Sequence, residues 1–557
     1  MKISRTWLIL ALLLLFAAGA RLFDLRADPP PRFAEASQDF TTDGAYLTLH
    51  ARNAALTGSW DSFGYEGWIP FKISLVSGLS YLLFVILGVS RNTANLTGTI
   101  LNLGALVLFV AALRKQMTER ALLYTSFFLA INFVLWLYGR LPFSENGMLF
   151  LAAAAYFAYA CWFDTAVGKV TVGVLIALCG LLGKSFGFLL IVGPLITILR
   201  SSDKQRFKSS AIIVGSMGIV AIGFLALVYR GQGFLSFLWE HGAGEHGFPH
   251  GFESIGGYFE NLISFARTGL HVYTPVLSLL AWMTVLYFVA CNSQKVRVSP
   301  VSIFMLTWLA VWLLVISPFN YRPLRYEYAL IIPMATLAGW FLDSLPNLRF
   351  GLVRRGIWWR LGLLLLLCWY FAYNVITGPF VHSSEVDVYY RFVWYSAPVG
   401  LTLAGGIAVV LWTKHFQLSS RISAFVVAIV LVVGLAFDGA LFYRWLTART
   451  YGIADANRDL PALVSPKAVF SGQYGPAIAE DSKCTCFPFF VTYDNAALAN
   501  VLSEYPITHL AVSADQWKAL IKQNPNLRKA QLLTRVWVRD VMVSILRVDG
   551  IFPNRRG

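Results

Sequence analysis

The sequence is poor in charge. Only 13% of its 557 residues are Asp, Glu, Lys or Arg, while 57% are hydrophobic; soluble domains carry about 25% charged residues. So few charges cannot cover a water-soluble fold of this length. An ordinary cytoplasmic enzyme is excluded, and the hydrophobicity equally excludes a disordered or collagen-like chain. Acids are scarcer than bases: 45 Lys and Arg against 29 Asp and Glu leave a net charge of +16. In a soluble protein that excess would raise nucleic acid as a partner; in a membrane protein it marks loops held on the cytoplasmic side. Cysteine is also scarce. Six residues are too few for a disulfide framework in a chain this long. Cys161, Cys179, Cys291 and Cys368 lie in apolar stretches and read as core packing. Cys484 and Cys486 are spaced too tightly for a mutual disulfide, and no second pair completes a zinc site. No glycine-rich phosphate loop follows a strand, so no nucleotide site is assigned. Repeated halves, broken helices and mid-span carboxylates are not evident, which weighs against a transporter.

Apolar runs are abundant instead, and the mean hydropathy is +0.62. Spans are expected at 7–23, 97–113, 120–138, 148–163, 170–183, 185–199, 209–229, 272–291, 299–317, 327–345, 357–377, 393–412 and 423–442, about 13 transmembrane helices in all. Most approach the roughly 20 residues that a bilayer requires. Lys and Arg clusters orient them. Lys2 and Arg5, then Arg114, Lys115 and Arg120, then Arg200 to Lys208, then Lys295 and Arg297, then Arg349 to Arg360, then Lys414 and Arg421 fall inside. The N-terminus is therefore inside, and loops 24–96, 139–147, 230–271, 318–326 and 378–392 lie outside with residue 184. Residues 69–88 are apolar enough to cross, but counting them breaks the parity of the charge clusters, so they are expected to lie in or on the membrane without crossing. Lys2, Arg5 and Ala18-Gly19-Ala20 resemble a signal peptide; a retained anchor is preferred because the apolar stretch runs on through Phe23.

The expected fold class is thus an all-α polytopic membrane protein, residues 1–445, followed by a small extracytoplasmic α/β domain, residues 446–557. In that tail Lys467–Ser471, Thr508–Val512 and Trp537–Val548 read as strands. Asn495–Glu504 and Ala514–Lys522 read as helices, the second capped by Ser513.

Polar residues of interest gather in the outside loops. The first holds Asp43, expected to begin an amphipathic helix, with Arg52 further along and Lys72 in the membrane-lying segment. The second, GRLPFSENGMLF, sets Arg140 and Glu145 against a span, where a carboxylate is costly unless paired or solvated. Lys184 stands between two apolar halves in LCGLLGKSFGFLL. The long loop carries Glu240, His241, Glu245, His246 and His250. Its composition is that of a metal cluster, but its spacing fits no zinc signature, so a divalent metal stays the lesser alternative and no cofactor is assigned. Arg322, Arg325 and Tyr326 follow in FNYRPLRYEYALIIP, where two arginines suit a phosphate headgroup.

In order and sidedness these motifs resemble the C-type glycosyltransferase (GT-C) fold, in the branch holding protein O-mannosyltransferases and bacterial lipid A aminoarabinose transferases. The resemblance covers roughly residues 1–345 and rests on TDGAYLTLHARNAALTGSW, IPFKI, GRLPFSENGMLF, GKSFGFLL, Glu240-His241 and LRYEYALIIP. The chain departs from the pattern at Gly44, where the family often has Glu; at Glu145, commonly Asp; and in GAGEHG after Glu240-His241, where the aminoarabinose enzymes carry an arginine. The resemblance implies a bacterial inner-membrane enzyme that transfers one sugar from a polyprenyl-phosphate donor to a glycolipid, glycan or protein acceptor on the periplasmic side, with inversion. It implies Asp43 as base or orienting acid and Glu145 as second acid. Lys72, Lys184, Arg322, Arg325 and Tyr326 would hold the donor phosphate, with Arg52, Arg140, Glu240, His241 and His246 in support. The alternatives are an oligosaccharyltransferase, a glycan polymerase, or a lipid or polysaccharide transporter. Membrane lipids are expected partners, and nucleic acid is not.

Overall fold

A computed structural model describes residues 5–29, 39–63, 69–200, 205–228, 256–258, 270–288, 300–316, 323–348, 357–377, 398–409, 417–488 and 501–551. Its first half is a run of helices: α1 (Arg5–Leu22), α2 (Asp39–Thr57), α3 (Ile69–Lys72), α4 (Leu75–Leu87), α5 (Arg91–Leu113), α6 (Glu119–Ile131), α7 (Phe133–Gly139), α8 (Ser144–Trp162), α9 (Ala166–Leu178), α10 (Val192–Arg200) and α11 (Arg206–Val228). Further helices include Pro300–Val315, Ile331–Ser344, Ile357–Thr377 and Ser420–Thr447. Among the described residues six helices are long and apolar enough to cross a membrane, or seven if α6 and α7 count as one span. Thirteen full spans are therefore not all represented. Several expected ones, such as Pro275–Leu286 and Pro398–Val409, are shorter apolar helices.

Segment 69–88 does not run to the far end of the bundle. Arg91, at the start of α5, stands 3.6 Å from Asp28, just after α1, and the Asn95 amide donates to Leu25 O at 2.8 Å. The chain thus returns to the end it left. Ser74 caps α4 by accepting from Ser77 N, and Gly88 closes it at φ +86°. The 13-residue α4 buries Val76, Ser77, Ser80 and Phe84 while Leu82, Val85, Ile86 and Leu87 are exposed, a pattern suited to lying in a membrane surface.

Two spans are broken. Between α6 and α7 the axis bends by 58° at Asn132, whose side chain accepts from Leu135 N at 2.9 Å. The freed Phe133 N–H donates to Asp438 Oδ1 at 2.8 Å. Asp438 is thus a buried carboxylate in the middle of Ser420–Thr447, contrary to the expectation of none, and it satisfies backbone at the break. The second break follows α9: a π turn (Cys179–Gly183), extended Lys184 and a 3-10 segment (Ser185–Ile191) before α10. Broken helices are therefore part of this fold.

Past Tyr451 the chain forms a helix (Gly452–Leu463) and a five-stranded sheet of order β2-β1-β3-β5-β4. The strands are β1 (Val469–Ser471), β2 (Thr485–Cys486), β3 (His509–Ser513), β4 (Gln531–Val538) and β5 (Val541–Arg547). β1 pairs in parallel with β2 and β3; β5 is antiparallel to β3 and β4. Ser513 caps the Ala514–Gln523 helix as expected. The single strand expected at Trp537–Val548 is instead the β4–β5 hairpin, turned by Arg539 in left-handed conformation at φ +59°. Cys484 and Cys486 are buried free thiols.

Candidate active site

The site forms where α2, the start of α8, the break after α9 and the turn Leu324–Glu327 converge. Helix α2 begins at Asp39, four residues before the expected start, so Asp43 sits a full turn inside the helix. It is held there by close packing. A Cβ on Gly44 would lie 3.1 Å from Pro142 Cδ, so glycine lets α2 approach the loop that leads to Glu145. Glu145 lies in the first turn of α8 and is buried. Lys184 reaches it because the backbone between the two apolar halves is extended. Gly183 permits that approach, since a Cβ there would stand 2.5 Å from Met148 Cα.

The result is a shared ion-pair cluster. Arg325 bridges the two acids: its guanidinium is paired with Asp43, and its Nε stands 3.5 Å from Glu145 Oε1. Lys184 Nζ donates to the same Glu145 oxygen at 2.6 Å. Aromatic faces complete the surroundings. Lys184 lies 4.0 Å from the Tyr326 ring centroid, and Arg325 lies over Phe143 and Tyr326. Two acids and two bases, drawn from elements nearly 300 residues apart, thus neutralise one another in a part-buried setting. A lone charge there would carry a heavy desolvation cost. The same arrangement gives an entering anion two cations and an entering hydroxyl two carboxylates.

Of the residues singled out in the sequence, Asp43, Glu145, Lys184, Arg325 and Tyr326 come together. Lys72 does not join them; it pairs with Asp61 beyond α2. Arg52 is fully buried against the C-terminal unit, donating to Ala479 O at 2.6 Å, Ser482 O at 2.8 Å and Glu480 O at 3.0 Å. Arg140 turns away from Glu145 to donate to Asp24 O, with its guanidinium over the Trp136 and Trp445 rings. Both arginines hold elements together and stand apart from the cluster. Arg322, Glu240, His241, His246 and His250 lie outside the described residues. Among the described residues no group of three His, Cys, Asp or Glu side chains is placed to hold a metal ion. His50 is buried with Nδ1 2.8 Å from Trp60 O, and burial lowers its basicity.

Sequence reasoning missed a second polar layer beneath the cluster. Arg21 Nε donates to Asn102 Oδ1 at 2.8 Å. Asn102 Nδ2 donates to Asn146 Oδ1 at 3.2 Å, and Tyr328 OH donates to the same oxygen at 2.8 Å. The available signal was polar side chains inside apolar runs, Arg21 in AGARLF and Asn102 in ILNLGA, which membranes rarely tolerate without purpose.

The folded chain falls into the class that these helices, breaks and end-of-bundle site define, the GT-C fold. The crystal structure of ArnT from Cupriavidus metallidurans bound to undecaprenyl phosphate matches it with a TM-score of 0.56 at 15% identity, over 98% of this chain and 99% of that one. The apo form of the same protein matches at 0.55, again at 15% identity, over 98% of each chain. The Archaeoglobus fulgidus oligosaccharyltransferase in its apo form is a weaker match, at 0.44 and 12% identity over 94% of this chain and 71% of that one. No protein-family model matches the chain, and no curated protein matches its sequence.

Proposed function

We propose that this chain is a membrane glycosyltransferase of the bacterial inner membrane. It takes a single sugar from a polyprenyl-phosphate donor and passes it to a glycolipid, glycan or protein acceptor on the periplasmic face. The observation that carries the reading is the cluster in which Asp43 and Glu145 share Arg325 beside Lys184. The likeness of fold to a protein crystallised with undecaprenyl phosphate supports it.

The chemistry follows from the residues present. The bond between the anomeric carbon and the phosphate oxygen breaks, and the lipid phosphate keeps the electron pair. Arg325 and Lys184, drawn toward that oxygen, stabilise the negative charge that develops. An acceptor hydroxyl attacks from the opposite face, forms the new glycosidic bond and inverts the centre. Its proton passes to Asp43, the carboxylate nearer solvent. Glu145, buried between the two cations, keeps them oriented. Lys72 and Arg322 are further residues assigned to the donor phosphate, and Glu240, His241 and His246 are assigned a supporting role. The unit beyond Tyr451 and the end of the bundle holding the cluster face the periplasm.

The test uses the purified chain in lipid nanodiscs with undecaprenyl-phosphate-linked hexoses and pentoses carrying an isotopic label, plus a bacterial envelope fraction. Mass spectrometry should find one labelled sugar added to an acceptor, and native mass spectrometry should find undecaprenyl phosphate retained where undecaprenol is not. Failure to transfer any labelled sugar, with equal retention of the two lipids, would sink the reading. Transfer of a preassembled chain would instead make the protein an oligosaccharyltransferase.

A further inference from the structure

Arg21 is fully buried near the end of α1, and among the described residues it forms no ion pair. Its donors go to Asn102 Oδ1, Ala17 O at 3.1 Å and Leu129 O at 3.5 Å. A guanidinium without a carboxylate is among the costliest groups to bury, and packing alone would be served by an apolar side chain. Its hydrogen bonds lead toward the site. Asn102 links Arg21 to Asn146, which directly follows Glu145 in α8. Asn146 also donates to Tyr138 O and Leu141 O, both at 2.8 Å, fixing the loop into α8. Its oxygen accepts from Tyr328, three residues after Arg325. The chain therefore ends on two of the four segments whose side chains form the cluster, those of Glu145 and Arg325. Asn102, Asn146 and Tyr328 are buried, so water does not compete for these bonds.

We propose that Arg21, Asn102, Asn146 and Tyr328 are positioning residues that hold Glu145 and Arg325 in register. This rests on the transferase reading above. None of the four touches substrate in this assignment. They set the spacing between acid and guanidinium that the transition state needs, and such spacing is sensitive at the ångström scale. An interaction needed only in the transition state affects turnover more than donor affinity.

The test compares Tyr328→Phe with Tyr156→Phe in nanodiscs. Both tyrosines are fully buried, but among the described residues the Tyr156 hydroxyl has no hydrogen-bond partner. Tyr328→Phe should lower kcat about tenfold or more while donor KM and the thermal midpoint change little; Tyr156→Phe should leave turnover near wild type. A second comparison uses Arg21. Arg21→Lys, which keeps charge and a donor, should retain more turnover than Arg21→Gln. If wild type transfers sugar and Tyr328→Phe and both Arg21 variants match it, the positioning proposal is overturned and the transferase reading stands. If wild type neither transfers sugar nor retains undecaprenyl phosphate, both fall.

Discussion

Replacing Asp43 with Asn should make the chain bind undecaprenyl phosphate more tightly while stopping transfer. Asp43 occupies the guanidinium of Arg325, the cation assigned to the donor phosphate. The phosphate must therefore compete with Asp43 for Arg325. Unit charges 4 Å apart attract by about 4 kcal/mol at an effective dielectric of 20, whereas fully exposed pairs are worth roughly 0–1 kcal/mol. The pair stands between these limits, since Arg325 is 8% and Asp43 17% exposed. Releasing it should then contribute about 1–2 kcal/mol, or roughly 5- to 30-fold in Kd. Arg325 keeps Glu145 at 3.5 Å, so Asp43→Asn does not strand a lone buried cation, and the protein should remain folded. Loss of the base should lower turnover by about 10²-fold or more. The assay is retention of undecaprenyl phosphate against undecaprenol by native mass spectrometry, run beside labelled-sugar transfer and a thermal melt. Weaker or unchanged binding by a folded Asp43→Asn would refute the competition and recast Asp43 as a support for Arg325. Near-wild-type transfer would remove Asp43 from the chemistry.

Three further perturbations follow from the structure. Gly183→Ala should push Lys184 away from Glu145, because the added Cβ meets Met148 backbone; transfer should fall about tenfold or more, and wild-type turnover by that variant would show the close approach to be dispensable. Arg52→Ala strands the carbonyls of Ala479, Glu480 and Ser482 at about 1–3 kcal/mol each, so limited proteolysis should release the C-terminal unit sooner than in wild type. Glu480→Gln reports on pH. Burial pushes the Glu480 carboxyl up to about 7, with Arg91 and Arg52 opposing and Asp481 adding to the rise. The folded state holds this proton where the unfolded state, near 4.5, has lost it, so its contribution is complete below about 4.5 and disappears as pH rises through about 7. Thermal midpoints of wild type should decline across that window more steeply than those of Glu480→Gln, and parallel curves would contradict the assignment.

The apolar runs made the helices readable, because a bilayer demands long uncharged stretches and little else does. The parity of the basic clusters set 69–88 apart as a segment expected not to cross, and Arg91 beside Asp28 brings the start of α5 back to the end of α1. What failed was local. The start of α2 was misplaced because Asp43 looked like an N-terminal acid, whereas the helix opens at Asp39. The breaks at Asn132 and Lys184 carry no proline; the first has no glycine beside it, and the glycines flanking Lys184 could equally mark packing between helices. The β4–β5 turn stayed hidden because Arg539, not glycine, takes the left-handed conformation. In the site, Asp43, Glu145, Lys184 and Arg325 stood out as charges at apolar borders. Nothing in the order of residues indicated that Arg52 and Arg140 would be spent on backbone carbonyls, or that Asn102 and Asn146 would meet.

Helix α2 is fixed on two sides, and that explains how a helix outside the spans can carry a placed acid. On one side Gly44 presses against Pro142, tying Asp43 to the loop before Glu145. On the other, Tyr46 OH donates to Gly472 O at 2.9 Å, and Asn53 Nδ2 donates to Cys486 O at 2.7 Å. Leu49 enters the same apolar core as Ile453, Phe470 and Ile545. Together with Arg52 these contacts run from Gly44 to Asn53, so the position of the helix depends on the C-terminal sheet as well as on the bundle. A helix of 19 residues draws most of its stability in water from packing of its apolar face, and here that face is covered by the sheet unit and the bundle. The sheet unit thus acts as a backing plate for the acid-bearing helix. Loosening it with Arg52→Ala should therefore lower transfer as well as protease resistance, although Arg52 lies away from the ion-pair cluster.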